Sequence, residues 1–163
     1  FDVAELVGSM LKKVIANVTS DISEQSNYYC NLLVGGQLKD QDMQLYHVYP
    51  QGNFICATRD TPYFQIGESK YGKPILDRAL TYDMPLDEAL RCSLISFAST
   101  LRSNVSVGMP LDVLVYKKDS LIMPRGKRIA EDDEYFTSIS RQWSETLKKG
   151  LAELPVPSNE YFL

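Results

Sequence analysis

Two short turns carry serine hydroxyls at positions where a side chain could support a reaction. The first, Gly67-Glu68-Ser69, precedes a predicted helix, and the second holds Ser103 and Ser106 between a predicted helix and a predicted strand. Polar groups at the ends of such elements can orient a catalytic group, or they can cap a helix backbone. The residue types alone leave both interpretations open.

The common catalytic motifs are missing from this sequence. His47 is the only histidine and lies within a predicted strand, so we interpret it as a structural imidazole and not as a general base. The chain has neither a Walker A loop nor a GxGxxG motif, and its three cysteines are too widely spaced for a zinc cluster. Arg125, Lys127 and Arg128 could bind an anion, but a solvated turn is the commoner role of such a run. We predict neither a metal nor a cofactor.

Charge and cysteine content restrict the partners and the compartment. The 163 residues include 17 Lys and Arg against 21 Asp and Glu, a net charge of -4 that disfavours a nucleic-acid partner. The apolar runs are too short to span a membrane. Cys30, Cys56 and Cys92 lie mostly in apolar segments, so we predict small core residues in a reducing, cytoplasmic compartment and no disulfides.

Hydrophobic periodicity predicts helices inserted between groups of strands. Apolar residues at three- and four-residue steps predict a first helix that begins near Asp2. Further elements are predicted, in order, as strands over 28–34, 44–49 and 54–58, helices over 73–80 and from 85, strands over 111–116 and 121–123, and a helix after 131–134. The first three strands read as an antiparallel meander. This order indicates an α+β layered fold, with residues 1–163 in a single domain.

Several linked segments carry a family resemblance. Residues 66–78, the helix from 85 and residues 103–112, together with 33–37 and 49–54, resemble the proteasome β-subunit family. Within that family, the chain more closely resembles the bacterial proteasome-type peptidases called Anbu, or ancestral β subunits. The resemblance covers at least residues 28–118, and the linked set is far more specific than any one piece.

The resemblance implies the αββα four-layer sandwich of the N-terminal nucleophile hydrolases, here incomplete at its N-terminus. In that family a threonine at the mature N-terminus attacks the peptide carbonyl, aided by a lysine and an aspartate. A free α-amino group, with a pKa of about 8, can act as the base, so no histidine is needed. Because the chain opens on Phe1 and the first helix resembles the family's first long helix, we expect the nucleophile in an N-terminal segment outside this chain.

The family's supporting turns correspond to the two serine turns, so the resemblance makes Ser69, Ser103 and Ser106 supporting residues and places no catalytic residue in this chain. Two positions depart from the family pattern. The family usually has an aspartate in place of Ser103, and Glu68 interrupts its usual Gly-Ser-Gly sequence.

The leading hypothesis is that the chain is part of a threonine-type endopeptidase subunit. This subunit would take peptide substrates and assemble with copies of itself in a ring or an open helix. One alternative is a catalytically silent oligomerisation or binding module with the same fold. Another is an N-terminal nucleophile hydrolase that acts on small amides.

Overall fold

The structure is a computed structural model that describes residues 2–18 and 30–162. Its elements, in chain order, are α1 (Asp2–Val18), β1 (Leu32–Gly36), β2 (Gln44–Val48), β3 (Phe54–Cys56), α2 (Lys73–Ala79), α3 (Leu86–Ser103), β4 (Leu111–Val113), β5 (Lys127–Ile129), α4 (Glu134–Glu153) and a final 3-10 turn (Asn159–Phe162). The predicted loop over 20–27 and the start of the predicted first strand lie outside the described residues. The architecture is α+β, as predicted.

The first three strands form one antiparallel sheet in the order β1-β2-β3, which confirms the predicted meander. Along β2, Tyr46 and Val48 are buried, while His47 alternates to the other face of the sheet. Helix α1 packs against this sheet at Gly8, where an added Cβ would come within 2.1 Å of the Gly52 carbonyl oxygen. Only glycine allows the two backbones to approach this closely.

The second half of the described chain encloses a separate apolar cluster. Strands β4 and β5 pair antiparallel, and their Leu111 and Ile129 are buried with Leu94 of α3 and Phe136 of α4. Asp133 begins α4, because its side chain accepts a hydrogen bond from the Phe136 backbone amide at 2.9 Å. That bond is the main cause that lowers the pKa of the Asp133 carboxyl, and a hydrogen bond from Lys127 is the second. Helix α3 packs on two sides, against α2 and α4.

The strand predicted over 121–123 is wrong. Asp119 and Leu121 both have positive φ angles, near 63° and 50°, which turn the chain out of an extended conformation. The Tyr116 hydroxyl accepts a hydrogen bond from the Leu121 backbone amide at 3.2 Å and holds this turn. The strand that pairs with β4 is β5, where Ile129 supplies the apolar side chain that fits the core.

The cysteine prediction is correct in part. Cys30, Cys56 and Cys92 are all free thiols, which agrees with the expected absence of disulfides. Cys30 is exposed, however, and the other two are only half-buried, so none is a fully buried core residue. Burial raises the pKa of the Cys92 thiol. No helix in the described part of the chain has the length and hydropathy that crossing a membrane requires.

The contact between α2 and α3 depends on a glycine. Gly72 is the N-cap residue of α2, and a Cβ there would lie 2.3 Å from Ser96 Oγ and 3.0 Å from Thr100 Oγ1. Both polar side chains are buried on α3. The start of α2 therefore lies against the C-terminal half of α3, and the turn before α2 lies on the same side.

We expect Gly72→Ala to lower the free energy of unfolding by about 1–3 kcal/mol, because the new methyl group overpacks this contact. Denaturant unfolding measures the change. Gly150→Ala is the matched control, since its Cβ enters open space within α4 and is neutral or stabilising by up to about 1 kcal/mol. Equal stability of Gly72→Ala and the unsubstituted chain would show that the helices are not in close contact there.

Candidate functional site

A single carboxylate joins the two serine turns. Asn104 Nδ2 donates a hydrogen bond to Glu68 Oε2 at 2.7 Å, and the Lys70 backbone amide donates to Glu68 Oε1 at 2.8 Å. On the other side, the Ser106 backbone amide donates to Asn104 Oδ1 at 2.8 Å. Glu68 and Asn104 thus connect the segment around Ser69 with the segment around Ser106.

The local backbone presents both partners of this bond. Gly67 has a φ of 77°, a left-handed conformation that glycine adopts without strain, and it turns the chain immediately before Glu68. Gln65 Nε2 donates to the Glu68 carbonyl oxygen at 3.0 Å and supports the turn from its other side. Asn104 is the C-cap residue of α3, with its backbone amide bonded to the Thr100 carbonyl. The end of α3 therefore fixes where the Asn104 amide lies.

The three serine hydroxyls do not cap helices. The N-cap of α2 is Gly72, which has no side-chain cap, and the C-cap of α3 is Asn104. Within residues 2–18 and 30–162, none of the three hydroxyls has a hydrogen-bond partner. Ser69 is half-buried, whereas Ser103 and Ser106 are exposed. The capping interpretation is therefore wrong, and the supporting role stays a prediction.

Ser69 opens on a cleft of about 420 Å³, whereas Ser103 and Ser106 do not line it. The cleft lies between β2 and β3 on one side and α2 on the other, with the loop over 60–65 along it. Its remaining lining residues are His47, Tyr49, Ile55, Asp60, Thr61, Pro62, Tyr63, Phe64, Gln65, Lys73, Asp77 and Leu80. The structure thus joins the serine turns at Glu68 but gives only Ser69 access to this space.

A hydrogen-bonded cluster on α2 was not identified from the sequence. Lys73 Nζ donates to Asp77 Oδ1 at 2.7 Å and to the Tyr63 hydroxyl at 3.2 Å, and that hydroxyl donates to Asp77 Oδ1 at 2.5 Å. Two hydrogen bonds lower the pKa of Asp77: the larger effect comes from the bond with Lys73 and the smaller from the bond with Tyr63. The bond to Asp77 in turn raises the pKa of Lys73. Burial is the main cause that raises the pKa of Tyr63, and the hydrogen bond to Asp77 is the second. The four-residue spacing of Lys73 and Asp77 was the available signal.

His47 has the contacts of a structural imidazole. Its Nε2 lies 3.0 Å from Asn31 Oδ1, and its ring centroid lies 4.3 Å from that of Tyr49 and 5.7 Å from that of Phe64. Its hydrogen-bonding partner is an amide and not a hydroxyl or thiol that it could activate.

The basic run is engaged in ion pairs. Arg128 binds Asp112 through two hydrogen bonds of 2.9 Å, and Lys127 lies 3.1 Å from Asp133. Two of the three cations are thus paired within the fold, which favours the structural interpretation of this run. The described residues contain no group of three or more His, Cys, Asp or Glu side chains that could hold a metal ion.

Comparison with known proteins agrees with the resemblance found in the sequence. A family model described as proteasome subunit matches residues 2–115. Among solved structures, the helical assembly of the Anbu complex from Pseudomonas aeruginosa is 54% identical with a TM-score of 0.92, and the match covers 98% of this chain and 66% of that one. Anbu from Yersinia bercovieri is 53% identical with a TM-score of 0.89, covering 96% of this chain and 65% of that one.

A third structure, the Gly-1 mutant of Anbu from Hyphomicrobium sp. strain MC1, is 44% identical with a TM-score of 0.87 and covers 95% of this chain and 64% of that one. The chain thus spans less than two thirds of the length of these structures. A search of curated proteins gave no match. The matches confirm the proteasome-type fold expected from the sequence.

The lowered pKa of Asp77 predicts a pH dependence. A carboxyl whose pKa is lower in the folded state than its usual value of about 3.9 stabilises the fold above that value and loses this contribution as the pH falls through the folded pKa. We expect Lys73→Met to return the midpoint of the Asp77 carboxyl titration toward about 3.9, measured by NMR. Lys149→Met, remote on α4, is the control, and an unchanged Asp77 midpoint in Lys73→Met would refute the ion pair.

Proposed function

The chain belongs to the proteasome subunit family, and from this premise we propose that it is the C-terminal portion of a threonine-type endopeptidase subunit. The observation that carries the proposal is the Glu68–Asn104 hydrogen bond, which joins two serine turns beside an open cleft. Residues 1–163 act in this proposal as one domain that supports a nucleophile on an N-terminal segment outside the chain.

In the proposed reaction, the hydroxyl of an N-terminal threonine attacks the carbonyl carbon of a peptide bond while the α-amino group accepts the hydroxyl proton. The proton then passes to the leaving amine, and water releases the acyl group from the threonine. Ser69, Ser103 and Ser106 orient the α-amino group and the attacking hydroxyl through hydrogen bonds, because their own hydroxyls are not engaged by the described residues. In this proposal they are positioning residues, which act on the nucleophile and not on the substrate.

The same proposal covers assembly and compartment. The structure from Pseudomonas aeruginosa is described as a helical assembly, and its 54% identity supports an assembly of copies of this chain, in a ring or an open helix. The three free cysteines support a reducing compartment, which we take to be the cytoplasm. The substrate class is peptides.

We expect Ser69→Ala to reduce peptide turnover by the full-length subunit on the order of 10- to 100-fold, because a small misplacement of reacting groups is costly. Ser103→Ala and Ser106→Ala are expected to reduce turnover as well. A fluorogenic peptide assay measures kcat, and thermal unfolding checks the fold of each variant. Ser144→Ala on α4 is the matched control, because its hydroxyl bonds only within that helix.

The alternatives give different results in the same assay. Unchanged turnover in all three variants would contradict their positioning role. An active subunit that hydrolyses acyl-amino acids but not peptides would indicate a small-amide hydrolase. A folded, assembled subunit that cleaves neither substrate, and that is not modified by a threonine-reactive inhibitor, would indicate a silent oligomerisation module.

A further inference from the structure

The side chains of Glu68 and Asn104 form a continuous hydrogen-bonded path between the backbones of the two serine turns. Glu68 Oε1 accepts the Lys70 backbone amide at 2.8 Å, and Glu68 Oε2 accepts Asn104 Nδ2 at 2.7 Å. Asn104 Oδ1 in turn accepts the Ser106 backbone amide at 2.8 Å. The path therefore begins one residue after Ser69 and ends at Ser106 itself.

The backbone of Ser69 is held on both sides by this path. The bond from the Lys70 amide to the Glu68 carboxylate closes a tight ring around the residue between them. Gln65 Nε2 donates to the Glu68 carbonyl oxygen at 3.0 Å, which fixes the peptide unit that enters Ser69. Glu68 and Ser69 are half-buried, so water competes less for these bonds than at an open surface. The backbone is thus fixed, whereas no described residue bonds to the Ser69 hydroxyl.

The path requires one carboxylate and one amide. Both of its ends are backbone N–H donors, at Lys70 and Ser106, so each end needs an acceptor. A carboxylate has acceptors only, and an amide has one acceptor and one donor, so the pair satisfies both ends and the bond between them. Two amides would bring a donor against a donor, and two carboxylates would repel each other. The carboxylate and the amide could, however, exchange positions without the loss of a bond.

We propose that Glu68 and Asn104 are positioning residues of the proposed reaction, and that they act through the bond between them, which fixes Ser69 relative to Ser106. The inference rests on the proposed peptidase function, because it assigns the pair to the placement of serine hydroxyls that orient the nucleophile. A displacement of either turn moves a serine hydroxyl away from the group that it orients. Neither Glu68 nor Asn104 contacts the substrate in this proposal.

An exchange of the two residue types tests the inference in the full-length subunit. Glu68→Gln and Asn104→Asp each break the path, so each should lower kcat for a fluorogenic peptide on the order of 10- to 100-fold with little change in KM. The double variant Glu68→Gln/Asn104→Asp restores every hydrogen bond and should return kcat close to that of the unsubstituted subunit. Asp83→Asn is the matched control, because its carboxylate binds Arg59 and also joins a loop to the start of a helix.

Kinetic outcomes that overturn the inference are specific. A double variant as slow as the single variants would show that kcat depends on a carboxylate at position 68 and not on the bond. Single variants with full kcat, measured well below their thermal unfolding midpoints, would show that the pair contributes to stability alone.

Hydrogen exchange followed by mass spectrometry separates failure of this inference from failure of the peptidase proposal. Because the Ser106 amide bonds to Asn104, Glu68→Gln in the other turn should speed exchange of the segment 103–108 by about tenfold, and the double variant should restore protection. If the unsubstituted subunit cleaves no peptide, this result still supports positioning of the turns by the pair while the peptidase proposal fails. Unchanged exchange of 103–108 in Glu68→Gln overturns the inference whether or not peptides are cleaved.

Discussion

The hydrogen bond between Glu68 and Asn104 is the interaction on which the candidate site depends. It joins a turn that precedes α2 to a turn that follows α3, and its carboxylate also accepts the Lys70 amide. The approach of α2 to α3 at Gly72 makes this bond possible, since a larger residue would push the helices apart. The contact between helices and the contact between turns therefore support each other.

The bond also changes how two departures from the family pattern are understood. Glu68 and Ser103 both differ from the residues usual in proteasome β subunits. In the structure Glu68 is not a mere interruption, because its carboxylate connects the two supporting turns. A negative group is therefore present between the turns even though Ser103 carries none. The proposed supporting role of the serines depends on this arrangement and not on capping.

The sequence predicted much of the fold because most of its elements have strong local signals. The apolar stripes of α1, α3 and α4, Pro74 in the first turn of α2 and the turns between β1, β2 and β3 were identifiable from short windows. The last strand was misplaced because the positive φ angle of Leu121 is not evident from its residue type. Local periodicity favoured the apolar run over 121–123, whereas packing in the core selected Ile129.

The candidate site was predictable only in part. Glycine and serine types marked both turns, and the family resemblance linked them, but the partners Glu68 and Asn104 are 36 positions apart. No spacing rule predicts a contact over that separation, because it depends on how the helices pack. The hydrogen bond between Tyr63 and Asp77 was missed for a similar reason, because it joins a loop to α2.

The most direct measurement is a double-mutant cycle of Glu68→Ala and Asn104→Ala on the free energy of unfolding. If the two turns form one unit through this bond, the two changes are coupled by about 1–2 kcal/mol, as for a partly exposed hydrogen bond to a charged group. Effects that add to within about 0.3 kcal/mol would contradict the account, because the turns would then be held independently.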